Sequence, residues 1–176
     1  MIRFIANYFQ RTESYSTGRF IFEMYLMAML CKILIIVLSL LVVVIYEPFE
    51  ILFFGETDES VSQFTGLTWV EGLIFLCIIL PFVESIIGQG IPIKLLSLVS
   101  NSKVLFAILS SLWFSYLHSM VFDGVSFFLI IFFGGIIYAW CFIVYKEKGF
   151  WKAIFVTTCV HLLFNFTVFI TYYLIP

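Results

Sequence analysis

Long apolar runs separated by short polar segments dominate the chain. They lie at about 24–46, 67–99, 104–120, 125–145 and 150–174. Because a membrane-spanning helix needs about 20 mostly apolar residues, the pattern predicts five spans in an all-α, polytopic transmembrane helix bundle. The second run is longer than one span requires and contains Pro81, Gly88, Gly90 and Pro92. This predicts a span that is tilted, kinked or continued by an interfacial helix.

Composition supports this reading and limits the domain organisation. Hydrophobic residues make up 63% of the 176-residue chain and charged residues 11%, whereas soluble domains are roughly half apolar and a quarter charged. We therefore expect one membrane domain over residues 1–176. Two interpretations stay open for residues 1–19, a short helix on the membrane surface or a polar terminus.

Basic residues occur only in alternate connections, with one exception. Eight of the nine precede the first run or flank the second-to-third and fourth-to-fifth turns: Arg3, Arg11, Arg19, Lys94, Lys103, Lys146, Lys148 and Lys152. The other two connections, 47–68 and 121–124, carry only acidic charges. The positive-inside rule then predicts a cytoplasmic N-terminus and an external C-terminus. The ninth, Lys32, lies inside the first run, where we expect it to snorkel or to find a partner.

Several functional classes are disfavoured by the same data. The net charge of −2 and the lack of a basic patch argue against a nucleic-acid partner. The four cysteines lie within apolar runs without metal-ligand spacing, so we interpret them as small buried apolar residues. The absence of paired inverted repeats makes a transporter a poor candidate.

The stretch PFVESIIGQG, residues 81–90, places a carboxylate inside the second span. An ionisable group at such a depth marks a functional site by default. Glu84 lies 17 residues before Asn101, at the turn of a predicted helical hairpin, and His118 lies 17 residues after it. Equal offsets in antiparallel helices predict equal depth. His161 and Asn165, four residues apart on one face of the last span, lie at a comparable depth.

Three interpretations of this constellation stay open. A carboxylate beside a histidine can activate water for hydrolysis, while a second histidine and an amide donate to an oxyanion. The same side chains can also serve as polar contacts between helices, without catalysis. Zinc takes the same ligand types, but the helix-borne His-Glu-x-x-His pattern of metalloproteases is absent. Our leading expectation is a site without a cofactor.

Three short motifs resemble those of the CPBP family (CAAX proteases and bacteriocin-processing enzymes, also called Abi). The family's Glu-Glu-x-x-x-Arg motif aligns with Glu84-Ser85-Ile-Ile-Gly-Gln89 and has a proline upstream, as here. Its Phe-x-x-x-His motif matches Phe114 to His118, and its His-x-x-x-Asn motif matches His161 to Asn165. The resemblance covers about residues 70–167. It implies an integral protein of a bacterial plasma membrane.

The resemblance also implies roles. Glu84 and His118 would activate water and His161 and Asn165 would line the oxyanion site, with Ser85, Gln89 and Phe114 in support. The substrate would be a peptide or a membrane protein. Ser85 and Gln89 replace the family's second Glu and its Arg. These two neutral side chains can hydrogen-bond without leaving an unpaired buried charge, so the scaffold can survive the change. The alternative is a catalytically impaired member that acts as a regulatory partner or in bacteriocin self-immunity.

Overall fold

The computed structural model describes residues 12, 14–45, 52, 68–120 and 124–174 of the chain. Five long helices account for these segments: α1 (Thr17–Ile45), α2 (Trp69–Leu96), α3 (Lys103–Ser119), α4 (Val125–Tyr145) and α5 (Phe150–Leu174). No strand occurs in these segments. The protein is therefore an all-α helix bundle, as predicted. The predictions for residues 1–19 and for the acidic connections fall largely outside the described residues, although residues 17–19 belong to α1.

The helix bounds agree closely with the predicted spans. α4 and α5 begin and end where the apolar runs do. α1 begins at Thr17, earlier than its apolar run. In this first part Arg19 and Glu23 form an ion pair of 2.8 Å one turn apart, a spacing that supports a helix. Within the described residues, four helices are long and apolar enough to cross a membrane. α3 has 17 residues and is about 25 Å long, somewhat short of a typical hydrocarbon core.

The other helices pack around α4 and α5, the two most buried of the four candidate membrane spans among the described residues. α1 lies along α4, with the Phe20 and Tyr145 rings 5.1 Å apart at one end and a 2.7 Å hydrogen bond from Ser126 to Ser39 at the other. α1 also contacts α5, where Lys32 Nζ lies 5.4 Å from the centre of the Phe164 ring. This cation–π contact gives the intramembrane lysine a partner.

Short polar signals set the helix ends. Thr68 and Glu71 form a capping box at the start of α2, and the Ser102 side chain accepts a hydrogen bond of 3.2 Å from the Leu105 amide at the start of α3. Between α4 and α5, Gly149 has a φ of +117°. That conformation favours glycine, so the basic turn reverses the chain at this position.

α2 is not a regular α-helix. Its hydrogen bonds widen to the π pattern over Phe75–Ile79 and again over Ser85–Gly90. Each π segment ends two residues before a proline, Pro81 or Pro92. A proline ring clashes with the carbonyl four residues earlier, and a wider turn relieves that clash. The predicted distortion of the second span thus takes the form of two π turns, each associated with one proline.

Candidate active site

Glu84 ends the short α-helical stretch between the two π segments of α2. Its side chain is only 18% exposed. Oε1 of the carboxylate lies 3.3 Å from Nε2 of His118, and Oε2 lies 3.4 Å from Nε2 of His161. Three helices, α2, α3 and α5, therefore bring one carboxylate and two imidazoles into direct contact inside the bundle.

The orientation of His118 is set by its own helix. Its Nδ1 lies 2.9 Å from the carbonyl oxygen of Phe114, one turn earlier. A carbonyl only accepts, so Nδ1 must carry a proton and donate it. Nε2 then faces Glu84 with or without a second proton. The pair consequently shares one proton: either Glu84 is a carboxylate beside an imidazolium, or it is a carboxylic acid that donates to a neutral imidazole.

Aromatic rings hold the two imidazoles in place. The Phe114 ring lies 4.4 Å from the His118 ring and 5.8 Å from the His161 ring, measured between centroids. Tyr138 of α4 stacks on His161 at 4.5 Å, with an interplanar angle of 24°. Phe114 therefore supports both histidines. Tyr138 belongs to none of the three motifs, and the sequence carried no signal for it beyond its place in a buried span.

Two glycines make room for Phe114. A β-carbon added to Gly88 would lie 2.5 Å from Cδ2 of Phe114, which is a steric clash. One added to Gly135 would lie 3.2 Å from the Ser111 backbone and 3.3 Å from the Phe114 ring. Of the adjacent α4 glycines Gly134 and Gly135, only Gly135 lies in such close contact. Gly88 and Gly135 act on the site through the position of the Phe114 ring.

Asn165 lies one turn from His161 on α5, and its amide bonds to α2. Its Nδ2 donates a hydrogen bond of 3.0 Å to the carbonyl oxygen of Leu76, in the first π segment. An amide nitrogen carries two protons, so this bond uses one of them. The structure therefore brings together three of the four predicted site residues by direct contact and ties the fourth to the backbone of the glutamate's own helix.

Ser85 and Gln89 lie one helical turn apart but do not hydrogen-bond to each other in the structure. The short Ser85 side chain donates backwards, to the Pro81 carbonyl at 2.7 Å, a local bond that serine commonly forms in helices. Gln89 is 1% exposed, and neither its Nε2 nor its Oε1 has a hydrogen-bond partner among the described residues. The two residues that replace the family's charged pair do not bond to each other.

The residues that could hold a metal are Glu84, His118 and His161, which offer two imidazole nitrogens and a carboxylate, the ligand types of zinc. Among the described residues, however, no group of three or more His, Cys, Asp or Glu side chains is arranged to hold a metal ion. Glu84 instead contacts both imidazoles directly. The four cysteines are free, Cys77 and Cys141 being buried.

Comparison with known proteins identifies a family. The family model described as type II CAAX prenyl endopeptidase Rce1-like matches residues 66–167, more than half of the chain. These residues span α2 to most of α5 and include every residue of the three motifs. No curated protein and no solved structure matches the chain.

Proposed function

Because the chain belongs to the Rce1-like family of type II CAAX prenyl endopeptidases, we propose that it hydrolyses a peptide bond with a water activated by Glu84 and His118. The observation that supports this most strongly is the position of the Glu84 carboxylate, 3.3 Å from one imidazole and 3.4 Å from another inside the bundle. The substrate would be a membrane-associated peptide or the tail of a membrane protein.

The chemistry follows from the proton shared by Glu84 and His118. In the state with an ionised carboxylate, Glu84 accepts a proton from water while the water oxygen attacks the peptide carbonyl. The resulting oxyanion accepts hydrogen bonds from His161 and from the second Nδ2 proton of Asn165. When the carbon–nitrogen bond breaks, the proton held by Glu84 passes to the leaving amine, and the carboxylate is regenerated.

The aromatic rings and the glycines that pack against Phe114 hold the two imidazoles in position beside Glu84. The Phe114 ring contacts both imidazoles, and the Tyr138 ring of α4 stacks on His161. Small displacements of reacting groups cost about 100-fold in rate, so side chains that touch no substrate are important for activity. No metal is needed in this scheme, because Glu84 acts as the base.

A second candidate function is that of a catalytically impaired family member that binds another membrane protein, as a regulator or in bacteriocin self-immunity. One observation favours it. Ser85 bonds to its own helix backbone and Gln89 has no hydrogen-bond partner among the described residues. Neither supplies the support that a charged pair at these positions would give to Glu84.

Replacing Glu84 with glutamine separates the two candidates. Gln is nearly isosteric, so Glu84→Gln should fold normally but lose about 10²- to 10⁴-fold in rate. The measurement is cleavage of a farnesylated peptide with a CAAX terminus by the purified chain in lipid nanodiscs, followed by proteomic comparison of membranes that contain either form. Ser85→Ala is the matched control and should lose much less. Undiminished cleavage by Glu84→Gln would exclude the enzyme proposal and leave the binding role.

A further inference from the structure

The two prolines of α2 each leave one backbone carbonyl without its donor. In a π segment the carbonyl of residue i accepts from the amide of residue i+5, as seen for Phe75 with Leu80 and for Ile86 with Ile91. The next carbonyl in each segment, Leu76 or Ile87, would pair with residue 81 or 92. Both of those residues are prolines, which have no amide proton.

Each of these two carbonyls accepts from a side chain of a neighbouring helix instead. Leu76 accepts from Asn165 Nδ2 of α5 at 3.0 Å, and Ile87 accepts from Trp113 Nε1 of α3 at 3.3 Å. An unpaired backbone carbonyl away from water is costly. The two side chains therefore replace the amide protons that the prolines lack.

Each donor also lies on the same helix as one of the two site histidines and close to it in sequence. Asn165 is four residues from His161 on α5, and Trp113 is five residues from His118 on α3. Glu84 lies in α2 between the two carbonyls, eight residues after Leu76 and three before Ile87. Each hydrogen bond therefore fixes α2 to the helix that carries one of the two imidazoles in contact with Glu84.

We infer that Asn165 and Trp113 are positioning residues, which hold the Glu84 segment of α2 in register with the two histidines by substituting for the missing amides of Pro81 and Pro92. The register matters because Glu84 contacts two helices at once, and a shift of α2 along either would break one contact. This inference rests on the proposed function only for its activity readout, since thermal stability tests it independently.

The inference is tested by combining each donor variant with each proline variant, the matched pairs being Asn165 with Pro81 and Trp113 with Pro92. Asn165→Leu and Trp113→Phe each remove the donor while keeping an apolar side chain. Pro81→Ala and Pro92→Ala each return an amide proton to α2. Thermal stability and kcat are measured for the full chain in nanodiscs, with farnesylated CAAX peptide as the probe. Asn165→Leu should lower both, and Pro81→Ala should restore the thermal stability of the double variant, whereas Pro92→Ala should not. The kcat of this double variant stays low, because Asn165 also donates to the oxyanion.

The reverse pattern should hold for Trp113→Phe, which Pro92→Ala alone should rescue. Failure of the matched proline variant to restore stability would overturn the inference, with or without cleavage activity. Trp113→Phe removes no group that is proposed to contact the substrate, so Pro92→Ala should restore its kcat as well. Restored stability without restored kcat in that pair would overturn the positioning role. If the wild type does not cleave the probe, only the proposed function fails. The thermal stabilities of the single and double variants still show whether each side chain replaces the amide of its proline.

Discussion

Nε2 of His118 lies 3.3 Å from Oε1 of Glu84, although 34 positions separate the two residues in the chain. The contact links α2 to α3 at the last turn of α3, where the Phe114 carbonyl holds the opposite edge of the imidazole at 2.9 Å. With both nitrogens engaged, the ring has little freedom to rotate. The site is thus oriented before any substrate is present.

The Phe114 ring should be sensitive to a single added methyl group. Gly88→Ala places a β-carbon 2.5 Å from that ring, so the ring must move and carry the His118 contact with it. We expect about a 100-fold loss of kcat and a loss of about 1–3 kcal/mol in stability. Peptide cleavage and thermal unfolding measure the two effects.

Gly134→Ala is the matched control for this substitution. Gly134 is also buried within a helix, but its nearest neighbour would be a Tyr138 ring atom at 3.8 Å, an ordinary contact. Its activity and stability should stay close to wild type. Equal effects at both positions would show that added bulk in the bundle, rather than the position of Phe114, causes the loss.

Gln89 should be replaceable by an apolar side chain with a gain in stability. Its amide is buried without a hydrogen-bond partner among the described residues, and an unsatisfied buried polar group costs about 1–3 kcal/mol. Gln89→Met keeps the length of the side chain and removes the polar atoms, so the melting temperature should rise. Gln89→Glu, which adds a charge at the same place, should lower it. A lower melting temperature for Gln89→Met would mean that the amide has a partner such as ordered water.

Chelators should leave activity unchanged if Glu84 is the base and no metal takes part. The test incubates the purified chain with a strong zinc chelator, removes the chelator, and compares cleavage rates. Inhibition that added zinc reverses would refute the glutamate mechanism and identify Glu84, His118 and His161 as ligands. Glu84→Gln distinguishes the glutamate mechanism from the zinc mechanism further, because loss of a zinc ligand would also lower the amount of metal bound to the purified chain.

The orientation predicted from the basic residues can be tested by labelling. Asp58 lies in the acidic connection before α2, which we expect outside the cell. In a variant without the four native cysteines, Asp58→Cys should react with a membrane-impermeant thiol reagent added to whole cells, and Lys148→Cys should not. Labelling of Asp58→Cys only after the cells are opened would reverse the predicted topology.

The sequence predicted the helices and the convergence of Glu84 with His118 well, because both follow from the lengths and spacing of segments along the chain. Apolar runs mark spans, and equal offsets from Asn101 place the two side chains at one depth. It did not predict the pairing of Asn165 with Leu76. Pro81 marks a missing amide proton, but the sequence does not show which carbonyl is left unpaired or which helix supplies the donor. Nor did it predict the stacking of Tyr138 on His161, which depends on the rotation of α4 about its own axis.

The absence of a hydrogen bond between Ser85 and Gln89 has a local cause. Two side chains four residues apart on a helix can reach each other, but this spacing does not decide whether a serine donates to the partner side chain or to a backbone carbonyl. The Ser85 hydroxyl has a carbonyl within its own turn, at Pro81, and a local bond of that kind orders fewer side-chain torsions than a bond to a long glutamine. Spacing alone therefore overestimates side-chain pairs that involve serine.

The shortness of α3 makes the surrounding lipid part of the site. At about 25 Å, α3 is shorter than a hydrocarbon core of about 30 Å, and His118 is its penultimate residue. A bilayer adapts to a short helix by thinning locally, which draws headgroups and water towards the end of α3 that carries His118. The hydrolytic water would then arrive through a lipid depression rather than a protein channel. Cleavage should accordingly be faster in bilayers of short-chain lipids than in thick ones, and an equal rate in both would mean that water reaches Glu84 by another route.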